Sequence, residues 1–157
     1  MRVLVQRVTS ARVEVDGAEV DAIGAGLVAF VGVAGDERQA DVEWCADKVV
    51  GLRVFRDAED HMNRSVRDVG GSILSVSQFT LYGDVGRGRR PAFTRAAPPD
   101  EAERWWHHFN DRLRLAGAPV ATGRFRADMA VHLINDGPVT IWIDSDARRT
   151  GPQPPLR

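Results

Sequence analysis

Two short stretches place polar groups where the surrounding chain is apolar. Ser77-Gln78-Phe79-Thr80-Leu81 interrupts the run SILSVSQFTLYG (72–83) with two hydroxyls and an amide. Asn135-Asp136-Gly137-Pro138-Val139-Thr140 joins the β-branched runs VHLI and VTIWI. A hydroxyl becomes a nucleophile only when a base or metal relieves it of its proton. Nothing near Thr80 in the chain would do so. Asn-Asp-Gly turns strands, but the proline that follows removes a backbone N–H the next strand could use. Each stretch also has an ordinary reading, as strand hydroxyls and as a turn.

Other chemistry is missing. Gly24-Ala25-Gly26-Leu27-Val28-Ala29 fits a relaxed G-x-G-x-x-A pattern, but a strand follows it where dinucleotide binding needs a helix. His107 and His108 are adjacent on a helix and point to different faces, and no Cys/His cluster has metal spacing, so neither a metal nor a cofactor is expected. No G-x-S-x-G nucleophile elbow occurs. Cys45 falls on an apolar helix face and reads as core.

The elements that must position the two stretches can be read from periodicity. Residues 2–8 and 11–15 alternate like strands, and Asp16-Gly17 turns the chain into 19–23. LVAFVGV (27–33) reads as a strand buried on both faces. Asp36 with Gln39 resembles a capping box, opening a helix with Val42, Cys45, Ala46, Val49 and Leu52 on one face. Arg53–Phe55 reads as a short strand, and 57–71 as a loop. Residues 72–83 read as a strand, and GDVGRGRRPAFTR (83–95) as a basic loop. Pro98-Pro99-Asp100-Glu101 starts a second helix with Ala102, Trp105, Phe109, Leu113 and Ala116 buried, ended by Gly117 and Pro119. Strands are expected at 122–125, 131–134 and 139–143. Residues 147–157 contain no core-forming residues and read as a disordered tail.

The whole reads as one α/β domain (1–146) with a mostly antiparallel or mixed sheet and two main helices. A length of 157 residues and an apolar fraction of 43% suit a single soluble domain. No apolar run reaches membrane-spanning length, the N-terminus does not resemble a signal peptide, and one cysteine fits a reducing compartment, so a cytoplasmic location is expected. A net charge of −1 argues against a surface basic throughout, not against a local patch. Of 21 basic residues only Lys48 is a lysine.

Taken together, SQFTL and NDGPVT, in that order and with TGRFRADM before the second, resemble the D-aminoacyl-tRNA deacylases, editing enzymes that remove D-amino acids from tRNA. The resemblance covers the chain from MRVLVQRV to WIDS near 145. Arg126 departs from it, standing where the F-G-A-x-M pattern has a small residue.

The resemblance implies a three-layer α/β fold and a homodimer with active sites at the subunit interface. It implies a cis Gly137-Pro138 bond that reaches into the partner's pocket and excludes L-residues by collision. Arg7 matches the arginine that braces this loop through its carbonyls. Ser77 and Gln78 would hold the adenosine or ester, and N–H groups near Gln78 and Phe79 would form an oxyanion hole. Thr80 would position, with the ribose 2′-hydroxyl assisting water. Arg87, Arg89, Arg90 and Arg95, with Phe93 for stacking, would contact the acceptor stem. D-aminoacyl-tRNA and glycyl-tRNA are the expected substrates. Two other readings stay open: an editing module that works only within a larger synthetase assembly, and a non-catalytic dimeric scaffold.

Overall fold

Strand β1 (Arg2–Val15) is the spine of the molecule. In the computed structural model, which describes residues 1–150, one edge of β1 pairs with β3 (Gly26–Gly32) through residues 2–8 and with β2 (Ala18–Ile23) through residues 11–15. Its other edge pairs along residues 2–14 with β8 (Ala130–Asp144). β6 (Ser72–Ser77) and β7 (Val120–Thr122) extend the sheet from β3 in parallel. The sheet is therefore mixed, as expected. It nearly closes on itself: Asp21 Oδ2 of β2 accepts the N–H of Thr122 at the far edge, 2.9 Å away.

Parallel pairing needs crossovers, and helices supply them. α1 (Gln39–Gly51) lies between β3 and β6, and α2 (Pro99–Leu115) between β6 and β7. The segment expected as loop contains β5 (Met62–Arg64), which forms a small ribbon with β4 (Phe55–Arg56).

Two cores form on the two faces of the sheet. Val3, Val5, Leu27, Ala29, Val31 and Ile73 pack against Val42, Cys45, Ala46 and Val49 of α1 and Trp106, Phe109 and Leu113 of α2. Val8, Ala11, Val13, Val28, Leu74 and Val76 fill the inside of the curl. β1 serves both because its pairing with β8 shifts between Val8 and Ser10. One extra residue there reverses the alternation, so odd-numbered side chains change faces.

Several expectations change. The run 72–83 does not stay a strand: β6 ends at Ser77, and Phe79–Tyr82 form a 3-10 turn. Residues 131–134 and 139–143 are not separate strands around a hairpin tip but one strand, β8. The capping box is absent. α1 starts after Arg38 without a side-chain cap, and Asp36 instead pairs with Arg149 at 2.7 Å. On α2, Trp106 rather than Trp105 is fully buried, because its indole N–H finds Ser75 Oγ at 3.0 Å. The first part of the expected tail is helical. Ser145–Thr150 form a third helix, α3, whose Arg149 also reaches Asp41 at 2.6 Å. The remainder of the expected tail, 151–157, lies outside the described residues. No described helix is long and apolar enough to cross a membrane.

Candidate active site

The parallel ladder of β3 and β6 ends at Val31 and Ser77, and the Gln78 N–H makes one more bond, 2.7 Å to Val31 O. There the backbone folds into the 3-10 turn. Gly32 makes room for it: a Cβ there would stand 3.0 Å from Gln78 O and 3.2 Å from Leu81 Cβ. At the other end of the turn, Arg2 donates to Leu81 O at 2.9 Å. Arg2 also stacks on Tyr82, 4.5 Å from its ring centre, and pairs with Asp144 at 3.1 Å. The turn is thus held from β3 and from the β1–β8 edge.

A pocket of about 530 Å³ opens at these carboxyl ends of parallel strands, the usual place for ligands in α/β sheets. Ser77, Gln78 and Phe79 form one wall, Pro99, Ala102 and Trp106 of α2 another, and 125–129 with Val131 the third. The floor is apolar. Phe125, 5.9 Å from Trp106 between ring centres, and Met129 were not assigned from sequence, although both lie in the TGRFRADM stretch.

The polar groups sort themselves by hydrogen bonding. Gln78 cannot offer its N–H to a ligand, since Val31 holds it; this corrects that half of the expected oxyanion hole. Phe79 and Thr80 open the turn, where helical N–H groups have no partner of their own, and neither takes a backbone acceptor among the described residues. Thr80 Oγ1 accepts a short hydrogen bond from the Gln78 amide. An amide donor cannot remove a hydroxyl proton, so this contact orients Thr80 without activating it.

Gly137 and Pro138 are exposed and are not among the residues that line this chain's own pocket. Their peptide bond is cis, and Gly137 has φ +113°, a region that favours glycine. They sit in a bulge of β8: between the pairs Val8–Asn135 and Gln6–Thr140, Arg7 alone faces 136–139. Arg7 is buried at 4% exposure. It makes a short hydrogen bond to Val54 O, and its Nε lies 2.8 Å from Asp136 Oδ2. That second contact pairs charges without an aligned N–H, and it reaches the loop through a side-chain carboxylate rather than through carbonyls.

The four arginines divide. Arg87, Arg89 and Arg90 are exposed in a loop closed by paired bonds between Asp84 and Ala92 (2.8 and 2.9 Å), with no ionic partner among the described residues. Arg95 is engaged, 2.6 Å from Asp146. The loop rests on the turn through an edge contact of Phe79 and Phe93, 5.0 Å between ring centres. Cys45 is fully buried, and burial pushes its thiol up to about 12, which removes it as a nucleophile. Among the described residues no cluster of His, Cys, Asp or Glu could hold a metal.

Comparison with known proteins gives the family of the chain. Residues 4–144 match the family model described as D-Tyr-tRNA(Tyr) deacylase. The D-aminoacyl-tRNA deacylase of Thermotoga petrophila is 56% identical over 145 residues, covering 92% of this chain and 97% of that protein. That of Geobacter sulfurreducens is 53% identical over 148 residues, covering 94% and 97%. Among solved structures, one described as c-Myc DNA Unwinding Element Binding Protein superposes with a TM-score of 0.87 at 41% identity, covering 92% and 98%. A probable eukaryotic D-amino acid tRNA deacylase shares the fold, with a TM-score of 0.76 at 18% identity, covering 90% and 97%. With the family model spanning most of its length and relatives above half identity, the chain belongs to the D-Tyr-tRNA(Tyr) deacylase family.

Proposed function

We propose that this chain hydrolyses the ester that joins a D-amino acid to the terminal adenosine of tRNA. The observation that carries the reading is one pocket walled by Ser77, Gln78 and Phe79, at the start of a turn whose Phe79 and Thr80 N–H groups take no partner among the described residues; Thr80 itself is not a lining residue. The adenosine occupies the apolar pocket, held by Ser77 and the Gln78 side chain. Water, oriented by the ribose 2′-hydroxyl, attacks the ester carbonyl. The oxyanion that forms is stabilised by the Phe79 and Thr80 N–H groups, donors fixed in place before the reaction begins. The bond to the ribose 3′-oxygen then breaks, that oxygen takes a proton, and free D-amino acid and tRNA leave.

Selection by handedness comes from a second copy. The bare edge at Gly137-Pro138 is exposed and does not line its own pocket, which supports a homodimer in which it walls the partner's. An L-residue would drive its side chain into that edge, whereas a D-residue turns away from it. Glycyl-tRNA has nothing to collide and is also cleaved. Arg87, Arg89 and Arg90 grip the acceptor stem by phosphate contact, which carries little sequence information, so many tRNAs are accepted. The enzyme works in the cytoplasm, where aminoacyl-tRNA is found.

The test is hydrolysis of D-tyrosyl-tRNA and L-tyrosyl-tRNA by the purified chain. Turnover of the D-form alone is expected; equal turnover of both, or of neither, rejects the reading. Activity of the isolated chain also rejects a module dependent on a synthetase and a scaffold without turnover. T80A retains substantial activity if Thr80 only positions, and a loss as large as that of a missing nucleophile reassigns it.

A further inference from the structure

Arg126 has φ +59°, in the left-handed region that an ordinary side chain avoids. The N–H of Ala127 bonds Arg124 O at 3.3 Å, closing a turn in which Arg126 holds the place glycine takes when φ must be positive. If the turn alone mattered, glycine or asparagine would make it with less strain. Strained residues of this kind gather where function holds them. Arg126 stands on the wall of the pocket, and its side chain is exposed. It has no hydrogen bond or ion pair among the described residues, not even with Asp128 two residues on. A guanidinium with no direct partner, on the wall of a largely apolar pocket that Asp128 also lines, fits a ligand whose body is apolar and whose entering end is anionic.

We propose that Arg126 binds a backbone phosphate of the tRNA 3′ end, the one that precedes the nucleoside seated in the pocket. The inference rests on the proposed function and adds to it a binding residue apart from the basic loop. The guanidinium fork pairs with two phosphate oxygens as the terminal nucleoside enters. It touches no reacting atom, so it acts on capture of substrate rather than on the ester.

The test compares the parent chain with R126G and R126K on D-tyrosyl-tRNA across a salt series. R126G relieves the backbone, so its Tm rises by about 2–4 °C, and misfolding does not confuse the result. Its KM rises roughly three- to tenfold while kcat stays within about twofold. The plot of log kcat/KM against log salt loses about 0.7 of its slope. R126K keeps the charge and most of the slope. An R126G with parental KM and slope, or with a lowered Tm, overturns the assignment while the parent's own turnover leaves the deacylase reading standing. A parent inactive on D-tyrosyl-tRNA removes both.

Discussion

Arg7 of β1 and Asp136 of β8 face each other across the bulge, 2.8 Å between Nε and Oδ2, and the arginine is the buried member of the pair. The contact anchors the Gly-Pro edge to the spine of the sheet, because the same guanidinium holds Val54 O. Removing it with R7A strands that carbonyl and empties a buried site. A loss of about 2–4 kcal/mol is expected, read from the urea midpoint. Discrimination between D- and L-tyrosyl-tRNA falls further than stability does. R7K keeps the charge but cannot serve both partners, and lies between.

Gly137 answers to the same arginine. A Cβ at 137 would stand 3.0 Å from Arg7 Nη2 and 2.9 Å from Val139 Cγ2, at a φ of +113°. G137A is therefore expected to cost about 1–3 kcal/mol. Its effect on activity is a displaced edge, seen as slower turnover of D-tyrosyl-tRNA at parental solubility. Parental rates and stability would show that the edge tolerates a side chain.

Gly32 sits beneath the 3-10 turn. An added Cβ meets Gln78 O at 3.0 Å, so the turn must move by a few tenths of an ångström. G32A is expected to lower kcat about tenfold or more while costing about 1–2 kcal/mol in stability, since displaced N–H donors lose an oxyanion quickly. Kinetics beside thermal unfolding checks it. Proportionate losses in both would make Gly32 a packing position only.

Cys45 makes stability depend on pH in the alkaline range. Its thiol has an ordinary value of 9.0 and is pushed up to about 12 by burial. The folded state therefore binds a proton that the unfolded chain releases above pH 9. The contribution is fully present below 9 and is lost as pH rises toward 12, by about 1.4 kcal/mol per pH unit. Burial raises the Tyr82 phenol as well, in the same direction. C45A should flatten the decline between pH 9 and 10 and leave deacylation at neutral pH intact. The native thiol should also resist iodoacetamide at pH 8 until the protein unfolds.

Local patterns were legible wherever neighbours in sequence decide the outcome. The double-sided burial of 27–33, the stripe of α1 and the Pro-led start of α2 follow from periodicity and end signals, and all three stand in the structure. Patterns failed where a distant partner outbid the local one. Asp36 leaves the cap for Arg149, 113 residues away, and Trp106 takes the core position because Ser75 accepts its N–H. The turn at 79–82 could not be read, since it forms where the chain leaves the end of the β3–β6 pairing.

The amino-acid sequence by itself determined the mixed α/β class, the two polar stretches and the family they resemble, because residue type and spacing are local properties. Only the tertiary structure decided that Gln78 has no N–H to give, that Arg7 reaches Asp136, and that Arg126 stands strained on a pocket wall. Those facts depend on which strands meet and in what register, and register is set by long-range packing that no short window of sequence contains.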